Sequence, residues 1–75
     1  MVEEQNFQLR IYRKNELAML YFPDSSKQTA MRNLGRWIQH CAPLQQELRE
    51  HGYDKNRKYF LKHEVALILK HFGEP

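Results

Sequence analysis

Glu16-Leu17-Ala18, a turn holding Pro23, and then Ser26-Lys27-Gln28-Thr29-Ala30-Met31-Arg32-Asn33-Leu34 form the stretch on which the reading of this chain depends. Leu17, Leu20 and Tyr21 recur at helical spacing from Lys14 onward, and Ala18 offers a close-packing point. Pro23 closes that first helix, because a proline disfavours helical backbone in the residue before it. Asp24-Ser25-Ser26 supplies the turn, and Ser25 with Gln28 fits a capping box in which each side chain satisfies an orphan backbone donor. A second helix is expected from about Ser26 to Cys41. Two helices joined in this way read as a helix-turn-helix, the first bracing a second whose exposed face can lie in a DNA major groove. The turn departs from the usual pattern, since Phe22-Pro23 stands where a glycine commonly follows the first helix, and Asp24-Ser25 reads as a two-residue insertion.

The second helix is the most amphipathic. Ala30, Leu34, Trp37, Ile38 and Cys41 fall on one stripe, while Gln28, Arg32, Gly35, Arg36 and Gln39 fall opposite. Trp37 therefore reads as the centre of the core, so that Trp37→Ala is expected to unfold the domain and Arg32→Ala to leave it folded. Gly35 sits within this helix, where it costs about 1 kcal/mol relative to alanine.

Outward from these helices the pattern changes. Phe7, Leu9 and Ile11 alternate with Gln8, Arg10 and Tyr12, the period of a half-buried strand. Beyond Cys41, Pro43 suits the first turn of a third helix, Leu44 and Leu48 form its apolar side, and Gly52 suits a left-handed cap over which Tyr53 folds back. Asp54 to Lys58 reads as a basic loop feeding a short strand from Lys58 to Leu61. A final helix buries Val65, Ile68, Leu69 and Phe72 and stops at Gly73. The run from Tyr12 to Leu20 echoes the run from Phe60 to Ile68 at one constant offset, each reading as the end of a strand passing into a helix. Short amphipathic helices converge on such patterns by chance, and two copies are too few for a solenoid. The two predicted strands are still expected to pair as a small sheet.

A chain of 75 residues makes one domain, 1–75, near the size at which a single core barely offsets chain entropy. Little apolar surface is left over for a deep substrate pocket. One cysteine excludes an internal disulfide, and no apolar run follows Glu3 and Glu4, so a cytoplasmic setting with no membrane span is expected. His40, Cys41, His51, His63 and His71 lack zinc-finger or HExxH spacing, and no glycine-rich loop is present to cradle a phosphate. Cys41 lies on the apolar stripe and reads as an inert buried thiol. Glu16 and Glu64 occupy matching early-helix sites, explained by the helix dipole. No catalytic residue, metal or cofactor is expected, and the chain reads as a non-enzymatic module.

The formal net charge of +3 permits an anionic partner. The candidate nucleic-acid contacts are Lys27, Gln28, Arg32, Arg36 and Gln39 on the second helix, types able to reach base edges or phosphates. Lys55, Arg57 and Lys58 form a flanking basic loop, and Arg10, Arg13 and Lys14 widen the footprint. A competing reading gathers Met1, Met19, Met31 and Tyr53 into an adaptable apolar patch for a homodimer or another protein partner.

Tyr12, Lys14-x-Glu16-Leu17-Ala18, Tyr21-Phe22-Pro23, Ala30, Leu34, Arg36-Trp37-Ile38, Leu44, Leu48, Gly52-Tyr53 and Gly73-Glu74-Pro75 carry a resemblance over nearly the whole chain. It resembles a family of short bacterial proteins, a domain of unknown function found mostly in gut Bacteroidetes. That likeness implies the domain's boundaries and a bacterial setting, with no activity to transfer. The order of parts is also similar to MerR and excisionase-type winged helix-turn-helix domains, an analogy of fold. Together these readings give a mainly α (α+β) fold, a small helical domain of helix-turn-helix or winged-helix type with a minor two-stranded sheet. The expected role is a bacterial DNA-binding accessory or regulatory protein, with double-stranded DNA as its partner.

Overall fold

In the computed structural model, which describes residues 7–75, the chain runs through β1 (Tyr12–Arg13), α1 (Lys14–Tyr21), α2 (Lys27–Gln39), α3 (Ala42–Glu50), β2 (Tyr59–Phe60) and α4 (Lys62–Phe72). The two strands pair antiparallel, Tyr12 opposite Phe60 and Arg13 opposite Tyr59. The domain is a small, mainly helical α+β structure. α1 packs chiefly on α2, and α3 packs on both α4 and α2. Each helix contributes two buried apolar residues: the adjacent Leu17 and Ala18 from α1, and, at helical spacing, Ala30 and Leu34, Leu44 and Leu48, and Val65 and Ile68 from the other three. Tyr12 and Phe60 close the core from the sheet.

Local chemistry sets the helix ends. α1 stops before Pro23, and α2 starts at Ser26, whose Oγ accepts from the Thr29 backbone N–H at 3.2 Å. Pro43 lies in the first turn of α3. That helix ends in a Schellman motif: Gly52 has φ +80°, its N–H donates to Arg49 O at 3.1 Å, and Tyr53 N–H donates to Leu48 O at 2.9 Å. Gly73, at φ +82°, closes α4. There the Tyr21 hydroxyl donates to Gly73 O at 2.6 Å, and burial pushes the phenol up to about 12.

Several expectations need correction. The strand foreseen from Phe7 to Tyr12 is reduced to Tyr12–Arg13, and its faces are inverted: Tyr12 is buried while Leu9 and Ile11 are exposed. β2 has two residues, because the helix starts at Lys62, so only two can be paired. Before β1 the chain bends, with Phe7 stacked on Tyr12 at 5.2 Å and the Tyr12 hydroxyl donating to Gln8 O at 2.7 Å. The cap of α2 is Ser26 with Thr29, not Ser25 with Gln28. α2 ends at Gln39, which leaves Cys41 as the N-cap of α3. Trp37 is 42% exposed and is not the core centre. It closes an aromatic cluster at the rim, with its ring 4.6 Å from Phe22, 5.3 Å from Phe72 and 6.0 Å from Tyr21. Leu34 and Ala30 take the central place because the core is shallow, and only the middle of the stripe reaches it.

The two strand-to-helix junctions share one construction. At the start of α1, Glu16 accepts from the Arg13 N–H at 3.3 Å; at the start of α4, Glu64 accepts from the Leu61 N–H at 2.8 Å. Each carboxylate satisfies one orphan donor of its helix. Each also binds an upstream arginine, Arg10 in the first and Arg57 in the second.

Candidate functional site

The antiparallel arrangement of junctions brings α2, α3 and the 54–58 loop around one concavity. It has a volume of about 840 Å³. Lys14, Arg32, Arg36, Arg49 and Lys55 line it, and among the described residues no carboxylate does. Arg32 and Arg36 stand four residues apart on α2, which places them one above the other on a single face. Gln39 continues that face, Gln45 and Arg49 oppose it from α3, and Tyr53 and Phe60 form part of the apolar floor.

Lys14 sits over that floor. Its Nζ donates to Lys55 O at 3.0 Å and lies 4.7 Å from the Tyr53 ring centre and 5.4 Å from that of Phe60. Burial lowers its pKa from the ordinary lysine value, and the charge of Arg57 lowers it further. Tyr53 stacks on Phe60 at 5.9 Å, and burial, followed by the charge of Glu64, raises its phenol. Lys14 and the two rings therefore act as a fixed base, while Arg32, Arg36 and Lys55 are exposed. Among the described residues, none of these five cations is held in an ion pair.

The groove gathers Arg32, Arg36, Gln39 and Lys55 from the candidate contacts and, from the wider footprint, Lys14. Lys27 and Gln28 are exposed at the N-terminal end of α2, away from its lining, and Lys58 is exposed beside β2. Arg57 is placed differently. Its guanidinium grips Glu64 with two hydrogen bonds, of 2.8 and 3.1 Å, and donates to Tyr59 O at 3.3 Å. Glu64 is fully buried. Burial pushes its carboxyl up, but hydrogen bonds from Arg57 and the Leu61 N–H outweigh that and hold it below the usual glutamate range.

Arg49 and Gln45 escaped the sequence reading because only the packing of α3 beside α2 brings them to the Arg32 face. The foreseen methionine patch lies only partly within the described residues. Met31 and Tyr53 line the groove, Met19 packs against the core, and Met1 lies outside the described residues. Among the described residues, no three His, Cys, Asp or Glu side chains come together as a metal site, and no helix is long and apolar enough to cross a membrane.

A family model for a domain of unknown function matches residues 8–75. The chain belongs to the DUF4248 family. Every residue lining the groove of this DUF4248 domain lies within the matched span. No curated protein and no solved structure matches the chain.

Proposed function

We propose that this domain is a non-enzymatic bacterial DNA-binding protein of helix-turn-helix character, working in the cytoplasm as an accessory or regulatory factor. The observation that carries the reading is the groove itself, with five cations and, among the described residues, no carboxylate around it. Arginine and lysine that neutralise phosphates supply affinity by releasing the counterions condensed on DNA, and Arg32 and Arg36, one turn apart on α2, suit that contact. Gln39 on the same face is a side chain able to reach base edges. Lys55 and Arg49 line the same groove, where they add cations for a phosphate chain.

Gly35 supports the same reading. It lies in mid-helix on the groove wall, and a Cβ added there would meet nothing within 4 Å. The fold thus has no steric need for a residue that costs about 1 kcal/mol of helix stability. Close approach of a ligand to the backbone is a use that the bare position serves.

Fluorescence anisotropy of labelled random duplex DNA across a salt series tests the proposal. Wild-type protein should bind at low salt. Arg32→Ala/Arg36→Ala, folded by circular dichroism, should weaken binding and flatten the log–log salt slope by about one per arginine removed. Gly35→Ala should raise stability by about 1 kcal/mol and yet weaken binding.

A second reading rests on Trp37. Half-exposed beside Tyr21, Phe22 and Phe72, it has the character of an anchor for a dimer or another protein partner. Folded protein that ignores DNA at low salt, yet self-associates in a Trp37-dependent manner by sedimentation, would move the function to this protein-interaction module.

A further inference from the structure

Cys41 does not stand alone. Its Sγ lies 3.8 Å from Nδ1 of His71, which reaches it from the last turn of α4. The other ring nitrogen of His71, Nε2, lies 2.8 Å from Oε1 of Glu47 on α3. The second oxygen of Glu47 accepts from Lys70 Nζ at 2.8 Å. Hydrogen bonds from Lys70 and then His71 hold the Glu47 carboxyl below the usual glutamate range. An ionised carboxylate can only accept, so Nε2 must carry the ring's proton. In the neutral ring Nδ1 then presents its lone pair to the thiol.

This is the order of parts that activates a nucleophile: a thiol, a base within reach, and a third group that fixes the base's tautomer. Three structural units supply it, namely the α2–α3 junction, α3 and α4. His71, Glu47 and Lys70 are linked to the thiol through these contacts, and none of them lines the cationic groove.

We propose that Cys41, His71 and Glu47 form an activated-thiol site that reacts with small disulfides, separate from the groove. The Sγ–H proton passes to Nδ1 of His71 while Nε2–H stays bonded to Glu47. The thiolate attacks one sulfur of the disulfide, whose S–S bond breaks. A new disulfide forms on Cys41, and the second sulfur leaves as a thiolate that takes up a proton from the imidazolium or from water. Cys41 is oxidised, one reagent sulfur is reduced, and no other oxidant is needed. Because Cys41 is half-buried and lies outside the groove, the site suits a small reagent over a macromolecular one.

The test is the rate of reaction with dithiodipyridine, a neutral disulfide that the groove's charge does not steer. Cys41 is the sole cysteine, so the released thiopyridone counts this thiol alone. At neutral pH the native chain should react about tenfold faster than the same chain unfolded in urea. Partial burial by itself would make it slower, so the sign separates activation from shielding. Glu47→Gln and His71→Gln should each bring the native rate down to or below the unfolded one, with circular dichroism unchanged. Should His71→Gln fail to fold, Glu47→Gln decides, since Glu47 is the more exposed partner. A native wild-type rate equal to or below that of the unfolded chain overturns the proposal, as does a Glu47→Gln chain that keeps the fast rate.

Discussion

The junction entering α1 and the junction entering α4 are built from corresponding residues, yet they lie in different media. Each has a buried aromatic in its strand, Tyr12 or Phe60, and a glutamate in the first helical turn that reaches back to the backbone. Each glutamate binds an arginine from the preceding segment. In the first pair, Arg10 and Glu16 expose 46% and 44% of their side chains; in the second, Arg57 and Glu64 expose 18% and 0%. Water screens both partners of the first pair but reaches only the arginine of the second. Two ion pairs of similar length, one bonded once and the other twice, therefore carry unequal energetic weight.

The largest expected effect is at the buried junction. Arg57→Ala strands Glu64 as an unpaired buried charge, at a cost of about 3–5 kcal/mol, a large part of the stability of so small a domain. Urea unfolding should show this as a collapse of the midpoint, and a midpoint close to wild type would mean that the pair is less desolvated than its burial implies.

Acid comes next. Glu64 and Glu16 both titrate below their ordinary range in the folded chain, Glu64 because Arg57 and Leu61 outweigh burial and Glu16 chiefly through Arg10. A depressed folded value means that the stabilisation is present above the unfolded value, about 4.3, and is lost as pH falls through the folded one. Stability should therefore fall steadily below about pH 4.3. Glu64→Gln, though weaker at neutral pH, should have a shallower acid slope, whereas an unchanged slope would assign the acid sensitivity to other carboxylates.

The smallest effect is expected from Arg10→Ala, which should leave the urea midpoint within error of wild type. A loss comparable to that of Arg57→Ala would break the contrast between the junctions. Arg10 also places its guanidinium 3.7 Å from the centre of the Tyr12 ring, so any residual loss on Arg10→Ala should persist when it is made in a Glu16→Gln background.

The helices were legible in the sequence because their signals are local. Pro23, Pro43, Gly52 and Gly73 mark ends by backbone geometry, and the spacing of Leu17, Leu34, Leu48 and Ile68 marks faces. The even alternation of Phe7, Leu9 and Ile11 misled because alternation describes one chain, whereas a strand needs a partner of matching length. Glu64 is the instructive residue. The echo between the two segments puts it level with Glu16, and the helix dipole accounts for both equally. Nothing local says that one is buried, since that depends on Arg57 folding back seven residues and on α4 packing against α3. The groove was half visible for the same reason. Arg32, Arg36 and Gln39 share a helix face, but Arg49 and Lys14 join them only through tertiary packing.

The two-residue sheet also bears on the order of events in folding. Tyr12 and Phe60 are separated by the whole of α1, α2 and α3, so their pairing must close a long loop for very few bonds. The entropy of that closure is repaid only after the helices have already shortened the gap. Pulse-labelled hydrogen exchange should find the amides of α1 and α2 protected first and those of the paired strands last, which makes the sheet a latch set at the end of folding.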